Sequence, residues 1–199
     1  MSIQQARITV NGIAPLLQNN PQTVDPFNTY SIAKKSITNK RTGKTEDDLI
    51  ELGNIETESK IYFDDLIGVF VPAVWLTEAI ITTGYGVSKI GRNKMRGGLF
   101  YTESKVALEY RDKSKVKSIE DIVKNPSFRH RMLLPQNKVR IAKDSPIFHD
   151  WSFSTVLEFD DTVIDFRSLT KIVSHAAKYG GFGDFRPTFG RAIAEVENV

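Results

Sequence analysis

Residues 151–180 read WSFSTVLEFDDTVIDFRSLTKIVSHAAKYG, and two different periods meet inside this stretch. Trp151, Phe153, Thr155, Leu157 and Phe159 recur at every second position. Side chains of an extended strand point alternately to its two faces, so this spacing predicts a strand with one buried face. Asp160 and Asp161 then read as a turn. From Asp165 the spacing changes: Leu169, Ile172, Val173, Ala176 and Ala177 fall at i, i+3, i+4, i+7 and i+8, the core stripe of a helix that Gly180 ends. A strand and a helix with one apolar face each need a sheet and helix layer to cover them, which points to an α+β fold.

The rest of the chain fills in that plan. Ala6 to Ile13 alternates and breaks at Gly12, predicting a first strand, and Pro15 to Asn28 reads as a loop rich in Gln, Asn and Pro. Thr45 with Asp48 three residues on forms a capping-box pattern, for a short helix through Leu52 stopped by Gly53. Ile61 to Val71 reads as strand, turn at Asp64 and Asp65, and strand. Pro72 suits the first turn of a helix over Ala73 to Thr83, ended by Gly84 and Gly86, with Trp75 in its core. Ser88 to Asn137 is the least regular part, with a strand over Lys105 to Tyr110 and a helix over Ile119 to Lys124. Asn137 to Ala142 alternates again, and Arg191 to Val196 supplies a last strand. Stripped of its insertions the order approximates β-α-β-β-α-β, a ferredoxin-like antiparallel sheet with both helices on one face. Such a sheet leaves its other face free for a single strand of nucleic acid. One domain over residues 1–199 is expected, with insertions at about 18–60 and 88–137.

Composition excludes several classes. The chain has 199 residues, 40% hydrophobic and 26% charged, which is enough apolar material for a core. With Cys 0, disulfide scaffolds, thiolate metal sites and a cysteine nucleophile are ruled out. The longest apolar run, Ile67 to Leu76, is far short of the ~20 residues of a membrane span, and no basic start precedes an apolar signal core. No membrane partner, no cofactor and a cytoplasmic location are therefore expected.

The net charge of +3 conceals a strong segregation. Ser88 to Lys143 holds 15 bases against 5 acids, and Lys34 to Lys44 holds five bases and no acid. Thr45 to Leu66 reverses this with eight acids and one base. Segregation on this scale suits a basic surface facing a polyanion; a solvated Lys-rich loop that binds nothing is the plainer alternative. Enzyme signatures are sparse: neither GxxxxGK[ST], G-x-S-x-G nor H-E-x-x-H occurs, and His130, His149 and His175 lack metal-ligand spacing. Residues 180–191, GGFGDFRPTFGR, are the distinctive motif. Gly181 and Gly183 permit sharp turns that present N–H groups to phosphate, Arg186 and Arg191 add charge, and Phe182, Phe185 and Phe189 offer stacking faces. A helix cap followed by a tight turn over buried phenylalanines is the structural alternative.

A glycine-rich loop between the last helix and last strand resembles the C-terminal loop of the repeat-associated mysterious protein superfamily, the RNA-binding backbone and processing subunits of CRISPR effector complexes. Val69 to Thr83 (VFVPAVWLTEAIITT) is similar to the strand, proline and helix that begin that family's core, and Ile8 to Leu17 (ITVNGIAPLL) to its first strand and loop. The three pieces occur in the family's order. Departures are Ala73-Val74 where the family often has Gly-Ser, and Thr188-Phe189-Gly190 where it has Gly-Tyr-Gly. The run DPFN followed by KR-x-GKT looks more like a phage or prophage protein of related fold. The resemblance implies a modified ferredoxin-like core, a basic insertion, and single-stranded RNA or DNA bound by a homo-oligomer lying along the strand. Phosphate contacts are expected from Lys34, Lys35, Lys40, Arg41 and Lys44, from Arg92, Lys94 and Arg96, and from the loop residues Gly181, Gly183, Arg186 and Arg191. Two rivals stand beside this non-catalytic reading. One is a structural protein of a phage particle. The other is a ribonuclease, since some family members cut RNA with an Asp in the loop after the first strand, where Asp25 stands here.

Overall fold

The computed structural model describes residues 3–40, 42–136 and 139–199. The first half of the chain runs β1 (Ile3–Gly12), β2 (Leu16–Leu17), α1 (Thr29–Thr38), α2 (Glu46–Glu58), β3 (Phe63–Asp64), β4 (Gly68–Pro72) and α3 (Val74–Ser88). The second half runs α4 (Arg92–Gly97), β5 (Leu99–Tyr101), β6 (Lys105–Ala107), α5 (Ile119–Lys124), β7 (Arg129–Gln136), β8 (Val139–Phe148), β9 (Ser152–Asp160), α6 (Phe166–His175) and β10 (Ala192–Asn198).

These elements form a mixed α+β fold with antiparallel sheets. The central sheet has the order β10-β1-β9-β5, every neighbour antiparallel. Its register follows the period-2 patterns: Ala6, Ile8 and Val10 of β1 sit opposite Leu157, Thr155 and Phe153 of β9, and all six are buried. Against this face lie α3 and α6, whose Leu76, Ile80, Leu169, Ile172 and Val173 share one core with the strands. Each large side chain fully buried there contributes roughly 1.5–3 kcal/mol. Asp165 caps α6 by accepting the Ser168 N–H at 2.9 Å. The opposite face of the sheet is polar. Arg7 lies between Val156 and Glu197, Thr9 between Ser154 and Glu195, and Gln5 beside Glu158.

Two three-stranded sheets complete the molecule, β2-β8-β7 and β3-β4-β6. The long hairpin of β7 and β8 stands against α2, and α1 also packs on α2. Buried Gln18 ties the layers together. Its side chain donates to the Phe70 carbonyl and accepts the Tyr62 N–H, at 2.9 and 2.8 Å.

Several expectations need correction. Lys34 to Lys44, whose charges, Asn39 and Gly43 suggest an exposed excursion, is mostly exposed among the described residues, but Lys34 to Thr38 are helical in α1, where Ile37 is buried. The capping box at Thr45 and Asp48 is present, but α2 runs through Gly53 to Glu58. Gly53 serves a close approach rather than a stop, since a Cβ there would lie 2.6 Å from Asp144 Oδ2. Likewise α3 continues past Gly84 and Gly86, and Lys89, left-handed at φ 63°, ends it. Pro72 closes β4 instead of opening that helix. Trp75 is half-buried, edge-on to Tyr62 at 5.4 Å. The stretch after Ser88 is more regular than its composition suggests, because Met95 of α4 and Phe128 ahead of β7 are core residues. Of the alternating stretch 137–142, Asn137 and Lys138 lie outside the described residues, while the remainder falls on β8.

Candidate nucleic-acid interface

The acidic helix α2 and the basic hairpin come together at a buried charge network. Glu56, 5% exposed, accepts from Lys34 of α1 at 2.7 Å and from Lys143 of β8 at 3.0 Å, and also from the Asp144 N–H at 3.2 Å. Burial alone would push the Glu56 carboxyl up, but the two ammoniums outweigh it and hold the group below its ordinary value. Asp144, 2% exposed, receives both arms of the Arg131 guanidinium, at 2.8 and 2.7 Å. That two-point pairing raises the proton affinity of Arg131. Lys60, just after α2, donates to the Asp144 carbonyl and to Ser145 Oγ.

Two depressions open over this network. One, of about 480 Å³, lies between α1, α2 and the hairpin, and Lys34, Glu56, Arg131, Lys143 and Asp144 line it. The other, of about 340 Å³, is lined by Lys34, Lys60, Lys143, Ser145, Asp184 and Phe185 among others. The two depressions adjoin at Lys34 and Lys143, which line both, and together they make up the groove; Asp184 and Phe185 of the loop at residues 181–190 line the second. Phe185, left-handed at φ 53° and 40% exposed, stands at its lip.

The loop is held by backbone hydrogen bonds, one internal and two to the segment around β2. The N–H of Phe182 donates to the Gly190 carbonyl, that of Asp184 to the Leu17 carbonyl and that of Gly190 to the Pro15 carbonyl. These donors do not face outward to phosphate as the glycine pattern suggested. Gly183 is required by its positive φ of 73° and by Leu17, whose carbonyl would lie 2.2 Å from a Cβ. Of the three phenylalanines, Phe182 is a core residue between Trp151 and Phe153 and stacks on no base. Phe189 lies 5.2 Å from the His130 ring.

The basic residues singled out in the sequence are dispersed. Lys34 lines the groove, Lys40 pairs with Asp48 at 2.6 Å, and Arg96 pairs with Glu78 at 3.0 Å. Lys35, Lys44, Arg92, Lys94, Arg186 and Arg191 are exposed and form no ion pair among the described residues, and Arg41 lies outside those residues. Arg92, Lys94 and Arg96 belong to α4, which packs on α3 and lines neither depression. Gly181 is buried at the start of the loop. Asp25 accepts the Phe27 N–H at 2.9 Å as part of a turn. Sequence reasoning missed Lys60, Arg131 and Lys143. Lys60 was the single base in an acidic stretch, and the other two were lost among the bases of the hairpin.

Among the described residues no helix is long and apolar enough to cross a membrane, and no group of three His, Asp or Glu is placed to hold a metal ion. Neither a protein-family model nor a curated protein matches the chain.

Proposed function

We propose that this protein binds single-stranded RNA or DNA without catalytic turnover, on a ferredoxin-like core of the repeat-associated mysterious protein type. The sheet supports the core reading. Numbered by chain order as first to fourth, β1, β5, β9 and β10 lie across the sheet as fourth, first, third and second (β10-β1-β9-β5), with a helix after the first and after the third. The observation that carries the binding reading is the groove, where Lys34, Lys60 and Lys143 line one depression with the exposed ring of Phe185, and Arg131 lines the adjoining one. Cations beside a stacking ring are what a sequence-tolerant single-strand site needs. The strand therefore follows the groove and not the open sheet face, where Glu158, Glu195 and Glu197 would repel phosphate.

Phe185→Ala and Arg186→Ala test this, because both side chains are exposed and their loss leaves the core intact. Removing one stacking ring forfeits about 1–3 kcal/mol, so Phe185→Ala is expected to weaken single-strand binding roughly tenfold at unchanged melting temperature. Arg92→Ala with Lys94→Ala serves as the control away from the groove and should leave affinity nearly unchanged. Wild-type affinity in a folded Phe185→Ala, Arg186→Ala double variant would remove the groove from the binding site.

A particle-assembly role is the second reading. It is favoured by Val24 and Phe27, 82% and 86% exposed on a loop that Gln22 and Ser31 pin down by hydrogen bonds to Ser59 and Thr23.

A further inference from the structure

Lys60 differs from its neighbours in the groove. Lys34 and Lys143 both rest on the Glu56 carboxylate. The two acceptors of Lys60, the Asp144 carbonyl and Ser145 Oγ, are neutral. Three ammoniums therefore surround one buried carboxylate. Asp184, which lines the same depression, accepts the Phe185 N–H of the exposed loop. Burial lowers the proton affinity of Lys60, and Lys34 and Lys143 push the same way, against the opposing pull of Glu56 and Asp184. A half-buried ammonium with neutral partners bears a desolvation cost that an anion would offset. The Ser145 hydroxyl and the Asn19 amide, at the wall of the depression, add neutral donors suited to anionic oxygens.

From this geometry we infer that the 340 Å³ depression is a phosphate-group site, lined by Lys60, Lys34 and Lys143. The site deepens the nucleic-acid reading and rests on it only for the source of the phosphate. That source is an internal phosphodiester, a terminal monoester or a free phosphate.

The melting temperature measured in inorganic phosphate, against sodium chloride of equal ionic strength, tests the site. The wild-type protein is expected to melt about 3 °C higher in saturating phosphate, and Lys60→Met should show no such rise. An equal rise in both proteins is the general salting effect and overturns the proposal. In the unmutated protein the Lys60 ¹³Cε resonance should move saturably with phosphate and not with chloride, and a resonance that stays fixed also overturns it. Paired oligonucleotides with 5′-phosphate and 5′-hydroxyl ends separate the sources. Tighter binding of the phosphorylated strand supports the terminal group. Equal binding that inorganic phosphate competes away supports the internal diester. Phosphate stabilisation with no oligonucleotide bound supports the site for free phosphate and contradicts the nucleic-acid reading alone.

Discussion

Glu56 holds two lysines of two different elements, and its charge is what lets α1 and β8 approach α2 there. Glu56→Gln keeps the shape and leaves two ammoniums facing each other without a counter-ion. Breaking a buried pair in this way costs about 3–5 kcal/mol; because both lysines are about a third exposed, roughly 2–3 kcal/mol is expected, read from urea unfolding near pH 7. The pH dependence has a definite sign. The folded pKa of Glu56 lies below its ordinary value near 4.5, so the unfolded chain binds more protons between the two values. Its stabilisation is therefore complete above the unfolded value and is lost as pH falls through the folded one. The variant should lack that acid-dependent component. Superimposable acid profiles of the two proteins would refute this role. None of it was visible in the sequence, where Glu56 is one of eight acids in an acidic stretch and its partners stand 22 positions before and 87 after.

At the scale of elements, legibility followed the amount of apolar surface each element buries. The strand β9 and helix α6 each bury an unbroken stripe, and their periods were plain. Helix α5 was readable from its ends, and the start of α2 from its capping box. Helix α1 was not, because it buries only Ser31 and Ile37 and leaves Ile32 to solvent, so no stripe marks it. Of the hairpin only the start of β8 was readable, since Arg131 of β7 and Lys143 of β8 point into an ionic network instead of alternating cleanly with apolar neighbours. Helix α4 shows the same effect on a smaller scale: five of its six residues are exposed, and Met95 is its one buried side chain, set under α3 beside Gly84 and Ile172. Met95→Ala should accordingly destabilise the protein by about 2–5 kcal/mol, whereas Lys94→Ala should fall within about 0.5 kcal/mol of wild type. Chemical denaturation of the two variants checks this. A mild Met95→Ala would mean that α4 is as loosely held as its composition suggests.

Over the whole molecule, charge is sorted by layer. The open face of the central sheet carries Glu158, Glu195 and Glu197 around Arg7, while Lys34, Lys60, Arg131 and Lys143 gather in the second layer, where α2 meets the hairpin. The sequence showed that bases and acids were segregated, but not that the densest acidic stretch supplies the floor of the basic groove. That inversion arises because lysines from α1 and β8 share one buried counter-ion, and Glu56 of α2 provides it. The most direct test of the groove as a single-strand site is the salt dependence of binding to a labelled oligonucleotide. Each phosphate neutralised contributes ~0.7 to the slope of log K against log salt. With Lys34, Lys60, Arg131 and Lys143 engaged, the slope should approach about −3, and duplex of the same sequence should bind more weakly. A slope near zero, or equal affinity for duplex, would contradict the account.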